Sequence, residues 1–432
     1  MSDPTQIAKM SGKDARAAFM RLTANRVLDL VRIGVGFSES SEATEELVTA
    51  YECCRSIGGA EFADLLLSPY LLGRVVRAEH LITSGTTVSG AVAQSIEEVW
   101  FPLALASAMR GGFAFSCDVN ASSPRALDLP GRLGCLLLPA TARNRTRVSV
   151  DESGLIRIDG FPAAVAQPLT CGPFQILPRD CGLPIEGMPG QVPLGPTELP
   201  EHGFDDAVSK ALAIVDTDQE ASDLVRSLVG AIVPLRSSSE PQHLSSSIRD
   251  LPGVVAMDLN GHVVDIAEAL VHEADHQRYY IQSELAPFWA SDSDRRAIYR
   301  SPWRPDPRPL DGLLAGASAF SAIGTFFANV VSLSRGDQIA GRSIGLRAIH
   351  ASLQALRALE VVDRFAAPTT MGRSIVAQCA ERAHHSLSTM GTHQNYEQWH
   401  RKATERLVEH DSAWSQEHGT DGDRLERVAA VP

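Results

Sequence analysis

His272 and His276 stand four residues apart, with Glu273 between them, in the run Leu270-Val271-His272-Glu273-Ala274-Asp275-His276. On an α-helix, residues four apart share one face. Two imidazoles then reach one divalent cation with a carboxylate beside them, the geometry of zinc peptidases and other metalloenzymes. The chain holds 13 histidines in 432 residues. Random placement would produce on the order of 0.02 such HExxH matches, so chance is a poor explanation. The bland alternative is an amphipathic helix carrying two surface histidines. Neutral imidazoles suit zinc and iron(II) equally. In a zinc hydrolase Glu273 is the general base that activates bound water. In an oxygenase no such base is needed, and Glu273 braces a ligand or touches substrate.

A third ligand normally completes such a site. Glu284 lies eight residues beyond His276, about 12 Å further along the same helix, too far for a bond of roughly 2.2 Å. Asp306 is the better candidate. It sits in Ser301-Pro302-Trp303-Arg304-Pro305-Asp306-Pro307-Arg308-Pro309, where the prolines force a stiff, extended loop that can hold a carboxylate still. A His-His-Asp set with open positions is the facial triad of non-haem iron oxygenases. The competing reading pairs Asp306 with Arg304 or Arg308. Those two arginines are also candidates for gripping the carboxylate of a co-substrate, because a guanidinium donates two parallel hydrogen bonds. His350 is a further option for the metal. His384, His385, His393, His400, His410 and His418 read as parts of solvated helices.

The elements that must position these groups follow from pattern. Asp265 and Glu268 form a D-x-x-E suited to a helix N-cap and its N3 partner. Ile266, Ala269, Leu270 and Ala274 supply an apolar face, and Pro287 a stop, giving a helix of about 20 residues, roughly 30 Å. Before it, Gly253–Leu259 reads as a strand closed by the Asn260-Gly261 turn. That strand is either internal or a sheet edge open to an extended peptide. After the proline loop, Leu313–Phe320 is a tightly packing helix of small residues. Further helices are expected over 340–365, 371–390 and 395–412, with a polar, frayed tail after Glu417. Residues 15–110 show helical apolar spacing. Leu136–Leu138, Arg147–Val150 and Leu155–Ile158 read as strands, the last two joined by a turn at Asp151–Gly154. The Pro/Gly-rich stretch 166–204 disfavours regular structure. A helix is expected over 205–230, and loops at Ser237–Ser239 and Ser245–Ser247.

The expected architecture is α+β, mainly α-helical: a helical N-terminal region (1–110), a small antiparallel β-section with a Pro/Gly-rich connector (111–204) and a C-terminal helical metal-binding part with the HExxH helix (205–432). Hydrophobic content of 44% and charged content of 21% are those of a soluble globular protein. A net charge of -13 repels phosphate and anionic lipid, which argues against nucleic-acid and membrane partners. No secretory signal is read at the N-terminus, and no apolar run is read as long enough to span a bilayer. Seven cysteines without a CxxC pair fit a reduced, cytoplasmic setting.

The HExxH run resembles that of the HExxH proteins found in bacterial clusters for ribosomally made, modified peptides. The Ser301–Leu310 loop, Gly312-Leu313-Leu314 and Ala319-Phe320 share the likeness. So do Ser68-Pro69-Tyr70, the run from Ser247 to Gly253, and His410 to Trp414. The resemblance implies an iron(II)- and 2-oxoglutarate-dependent peptide β-hydroxylase acting on a precursor peptide. It puts His272 and His276 at the metal and Arg304, Asp306 and Arg308 in the family's proline-rich loop. Ala315 departs from it, standing where relatives often carry His or Gln. A zinc metallopeptidase and a non-catalytic peptide-binding scaffold are the alternatives.

Overall fold

The computed structural model describes residues 4–37, 41–57, 59–84, 89–120, 126–130, 133–138, 145–177, 192–195, 198–199, 204–236, 245–247, 249, 251–290, 297–333, 341–419 and 423–425. The helices are α1 (Pro4–Ala8), α2 (Gly12–Phe37), α3 (Ser41–Ser56), α4 (Gly59–Leu66), α5 (Pro69–Thr83), α6 (Ser89–Gly111), α7 (Asp205–Val215), α8 (Gln219–Leu228), α9 (Val263–Leu285), α10 (Leu310–Leu333), α11 (Gly341–Phe365), α12 (Thr370–Met390) and α13 (Tyr396–His418). The strands are β1 (Phe115–Asn120), β2 (Ala126–Leu129), β3 (Gly134–Leu137), β4 (Arg145–Val150), β5 (Ile156–Ile158), β6 (Phe161–Pro162), β7 (Val165–Ala166), β8 (Thr170–Cys171), β9 (Phe174–Ile176), β10 (Ala231–Pro234), β11 (Ser245–Ser247), β12 (Val254–Met257), β13 (Ile298–Tyr299) and β14 (Arg424–Leu425). The protein is mainly α with a small β part.

The chain forms two compact units, each assembled from separate stretches. One comprises Arg16–Asp205 and Val229–Asp258; the other comprises Met1–Ala15, Asp206–Leu228 and Leu259–Pro432. The passage at 205/206 falls where the sequence places the start of its C-terminal region. Residues 229–258, expected in that region, build the first unit instead.

In the first unit α6 is apolar all round from Val99 to Ala108 and is buried on all sides, as such a helix must be. Trp100, Phe101 and Leu105 share a core with Cys117, Val148 and Ile158 of the strands. The expected β4–β5 hairpin is present, with Val148 opposite Ile158. Asp151 accepts backbone N–H bonds from Ser153 (3.0 Å) and Leu155 (3.1 Å), and Gly154 takes the positive φ of 81° that the turn requires.

A five-stranded sheet runs β11-β12-β10-β9-β8. Its central strands β9, β10 and β12 are parallel and fully buried, as the unbroken apolar runs of β10 and β12 require. Of the two readings of the strand before α9 the internal one holds, since β12 lies between β10 and β11. Two expectations change here. β9, inside the Pro/Gly-rich stretch expected to disfavour regular structure, is a buried central strand. Ser245–Ser247 forms strand β11 because its backbone completes the ladder with Val255–Met257. Ser237–Ser239 and much of the Pro/Gly-rich stretch, Gly187–Gly190 included, lie outside the described residues.

The second unit is a helical assembly around α9–α12. The helix expected over 205–230 is two helices, because Asp218 caps α8, accepting from the Ala221 N–H at 2.9 Å. α10 packs closely on its neighbours through small residues. Ser386 Oγ donates to the Gly324 carbonyl (2.8 Å) and accepts from Ser352 Oγ (2.9 Å), knitting α10, α11 and α12 together. α10 is also long and apolar enough to cross a membrane, contrary to the sequence reading, but 72% of that stretch is buried inside the fold, which is compatible with a soluble protein. The tail is not wholly frayed: β14 pairs antiparallel with β13.

Candidate metal centre

α9 runs for 23 residues and starts three residues earlier than the D-x-x-E pattern implies. Its cap is His262, whose Nδ1 accepts from the Val264 N–H at 3.3 Å. Asp265 and Glu268 are instead drawn to Arg347 of α11, which contacts Asp265 at 2.6 Å and also binds Glu268. A charged partner outbids a weak cap. Arg278 and Gln282 are buried too; Gln282 Nε2 donates to the carbonyls of Ile7 (2.8 Å) and Ala8 (3.0 Å).

His272 and His276 come together one turn apart, their Nε2 atoms separated by 3.1 Å and their rings nearly perpendicular at 86°. Burial pushes both imidazoles down to about 4; for His276 the neighbouring His272 adds to this, and the Glu273 and Asp275 charges oppose it. Both rings are therefore neutral at pH 7, each with one lone-pair nitrogen; without a metal the facing Nε2 atoms are within hydrogen-bond distance of each other, one donating and one accepting. Two nitrogens each about 2.1 Å from one ion are roughly 3.0 Å apart at a right angle and roughly 3.4 Å apart at the tetrahedral angle. The observed separation falls in that span, so the pair fits a divalent cation. His276 Nδ1 is buried and makes no hydrogen bond among the described residues. The carboxylate or carbonyl brace common behind a metal-binding histidine is absent there. Tyr280, a turn further on, stacks on the His276 ring at 6.0 Å and 11°.

His272 meets the edge of Phe320 on α10 at 5.1 Å, and Phe320 packs on Trp303 at 4.9 Å. This links the proline-rich loop to the histidines. The Trp303 indole sits against Gly316, where any Cβ would overlap its ring. The loop is pinned at both ends: Pro302 O accepts from Gln354 Nε2 (3.1 Å), Ser301 O bonds His410 Nε2 (2.7 Å), and Tyr299 and Arg308 exchange backbone bonds of 2.7 and 2.8 Å.

Asp306 is not delivered to the histidines. It is bound by Arg304 Nε (2.7 Å) and Arg308 Nη2 (2.9 Å), the ion-paired alternative weighed above. Burial opposes the carboxylate form, but the Arg304 hydrogen bond and both guanidinium charges prevail and hold the carboxyl below its usual range. Among the described residues, no group of three His, Cys, Asp or Glu side chains is placed to hold a metal. Glu284 is exposed near the end of α9, His350 lies on α11, and Ala315 is buried in the core. Glu273 is buried.

Asp275 was not singled out by spacing. It is fully buried and accepts from Ser318 Oγ at 2.5 Å. Arg278 pairs with it, and Arg382 Nη1 approaches at 3.6 Å. Both arginines also reach Glu220, at 3.6 and 2.6 Å. Tyr280 was missed, although its four-residue offset from His276 is a signal that could have found it; the contacts of Phe320 and Arg382 come from distant helices and leave no local signal. No protein-family model matches the chain, and no curated protein matches it.

Proposed function

We propose that the chain is an iron(II)- and 2-oxoglutarate-dependent oxygenase of the cytoplasm that hydroxylates a side-chain β-carbon in a ribosomally made precursor peptide. The observation that carries this reading is the pair of neutral imidazoles with Nε2 atoms 3.1 Å apart on α9. His272 and His276 would hold the metal. Iron(II) bound there would use O2 to oxidise 2-oxoglutarate to succinate and CO2 while one oxygen atom enters the peptide C–H bond. The described residues bring no third protein ligand, one fewer than either an iron facial triad or a catalytic zinc site uses. The resemblance of the HExxH run and the Trp303–Pro309 loop supports the same reading.

The remaining roles belong to the chain's own side chains. Burial keeps protons off both imidazoles. Tyr280 and Phe320 flank the half-buried rings with apolar surface. Arg304, Asp306 and Arg308 together carry one net positive charge on a loop that reaches the centre through Trp303 and Phe320. Arg304 donates Nε–H to Asp306 while Arg308 pairs with it by charge, and both keep further donors for a carboxylate of the co-substrate.

The test is anaerobic reconstitution with iron(II), followed by 2-oxoglutarate and air. Succinate release that His276→Ala abolishes is the expected result, with a mass gain of one oxygen on a precursor peptide from a neighbouring reading frame. Peptide fragments formed with zinc and no 2-oxo acid would replace this reading with the zinc peptidase, in which Glu273 is the base.

A further inference from the structure

β13 is flanked by the Arg308 backbone on one side and by β14 of the same chain on the other. β13 uses Tyr299 to exchange both backbone bonds with Arg308 on one side. On the other side it pairs with β14, Ile298 opposite Leu425 and Tyr299 opposite Arg424, and the Arg300 N–H donates to the Asp423 carbonyl at 2.9 Å. The described ladder is only two residues long, so backbone pairing alone is a weak hold.

The stronger hold is ionic. The Asp423 carboxylate sits among three guanidiniums: Arg357 Nη2 at 3.1 Å, Arg300 Nε at 3.6 Å and Arg364 Nη1 at 3.7 Å. Arg300 is buried and also contacts Asp411 at 3.1 Å; Arg357 also reaches Asp411 at 3.6 Å and the exposed Glu360 at 2.9 Å. With Asp423 in place the charges balance, three positive against three negative. Without it one positive charge is left over beside a buried arginine. Any segment that replaces β14 must therefore bring a carboxylate of its own just ahead of its paired residues.

We propose that this edge is a docking site for an extended peptide segment bearing an acidic residue, and that the C-terminal strand holds it in cis until such a segment displaces it. Arg300 and Ser301 lead directly from the dock into the loop that carries Trp303, Arg304, Asp306 and Arg308, so an exchange of strands acts at the base of the candidate site. The identity of the displacing segment as part of the substrate peptide rests on the oxygenase reading above; the dock itself does not.

The probe is a fluorescent synthetic peptide with the sequence of residues 419–428, followed by anisotropy on the full-length protein without metal or 2-oxo acid. Wild type, its dock filled in cis, should bind weakly. Full-length Asp423→Lys should bind at least tenfold more tightly, with Asp423→Asn run in parallel as the isosteric variant in case the lysine disturbs folding. A peptide with asparagine in place of its own Asp423 should lose at least tenfold, and affinity should fall as salt rises. The Arg300 amide should exchange faster with deuterium in Asp423→Lys and regain protection when peptide is added. Equal binding to wild type and variants, no binding to either variant, or equal binding of the two peptides would overturn the proposal. Absence of succinate release would sink the oxygenase reading and leave the dock standing.

Discussion

Asp275→Asn is the substitution that most directly tests how α9, the helix of the candidate metal centre, is held. The replacement has nearly the same shape, so it leaves no cavity and an amide oxygen can still accept from Ser318 Oγ. What it removes is the negative charge between two largely buried guanidiniums, Arg278 and Arg382. At the 3.6 Å separation from Arg382, with an effective dielectric of about 20, that charge is worth about 5 kcal/mol of attraction. Arg278 is closer still. Among the described residues, the only other carboxylate paired with both arginines is the mostly exposed Glu220, which water screens. Breaking a buried pair by removing one partner costs about 3–5 kcal/mol, and that is the expected loss. Urea unfolding followed by tryptophan emission measures it, because Trp289, Trp303, Trp399 and Trp414 all lie in the unit that holds α9. Ser318→Ala should cost about 1.5–3 kcal/mol, as a hydrogen bond to a charged group does. The two changes should not add, since they share one carboxylate. A loss below about 1 kcal/mol for Asp275→Asn would refute the reasoning.

The other predictions concern the histidines, the loop and pH. His276→Ala should abolish binding of a divalent cation, whereas Glu273→Gln should leave the metal content, read by elemental analysis, within about twofold of wild type. Metal uptake should persist down to about pH 5 and fail near pH 4, because burial holds both imidazoles at about 4; titration with zinc or cobalt at stepped pH checks this, and a loss centred at pH 6.5 would contradict it. In the metal-free protein these depressed imidazole values contribute stability that is complete above the unfolded value of about 6.5 and declines as pH falls towards 4. The Asp275 carboxyl, lowered by its arginines and Ser318 against the opposing effect of burial, adds a further loss only below about pH 3.9; melting temperature against pH reads both. Gly316→Ala should expel Trp303 from its seat, costing about 1–3 kcal/mol from overpacking against at most about 1 kcal/mol gained in helix propensity, and Trp303 emission should shift to the red.

Periodicity and composition exposed the helices, the β4–β5 hairpin and the histidine pair, because these depend on residues near one another in sequence. The cap of α9 was misread for a physical reason: Asp265 and Glu268 have the right types and spacing, yet Arg347 lies 79 residues beyond Glu268 and takes both carboxylates. Ser245–Ser247 carries no apolar signal and becomes a strand only because β12 offers it an edge. Asp306 shows the same limit at the site. A stiff loop does hold its carboxylate still, but between its own arginines. Partners such as Phe320 for His272 or Arg382 for Asp275 are set by how helices pack, and a linear pattern carries no record of that.

The pair of bonds from Gln282 to Ile7 and Ala8 bears on how the protein is made. Residues near the beginning of the sequence are pinned beneath a helix that is synthesised some 270 positions later. During translation α1 therefore has no seat, and its apolar Ile7 stays unsheltered until α9 and α12 have left the ribosome. Handles or fusions placed just ahead of Pro4 would burden this late docking step, which makes slow or chaperone-assisted maturation of the helical unit a practical matter for anyone expressing it.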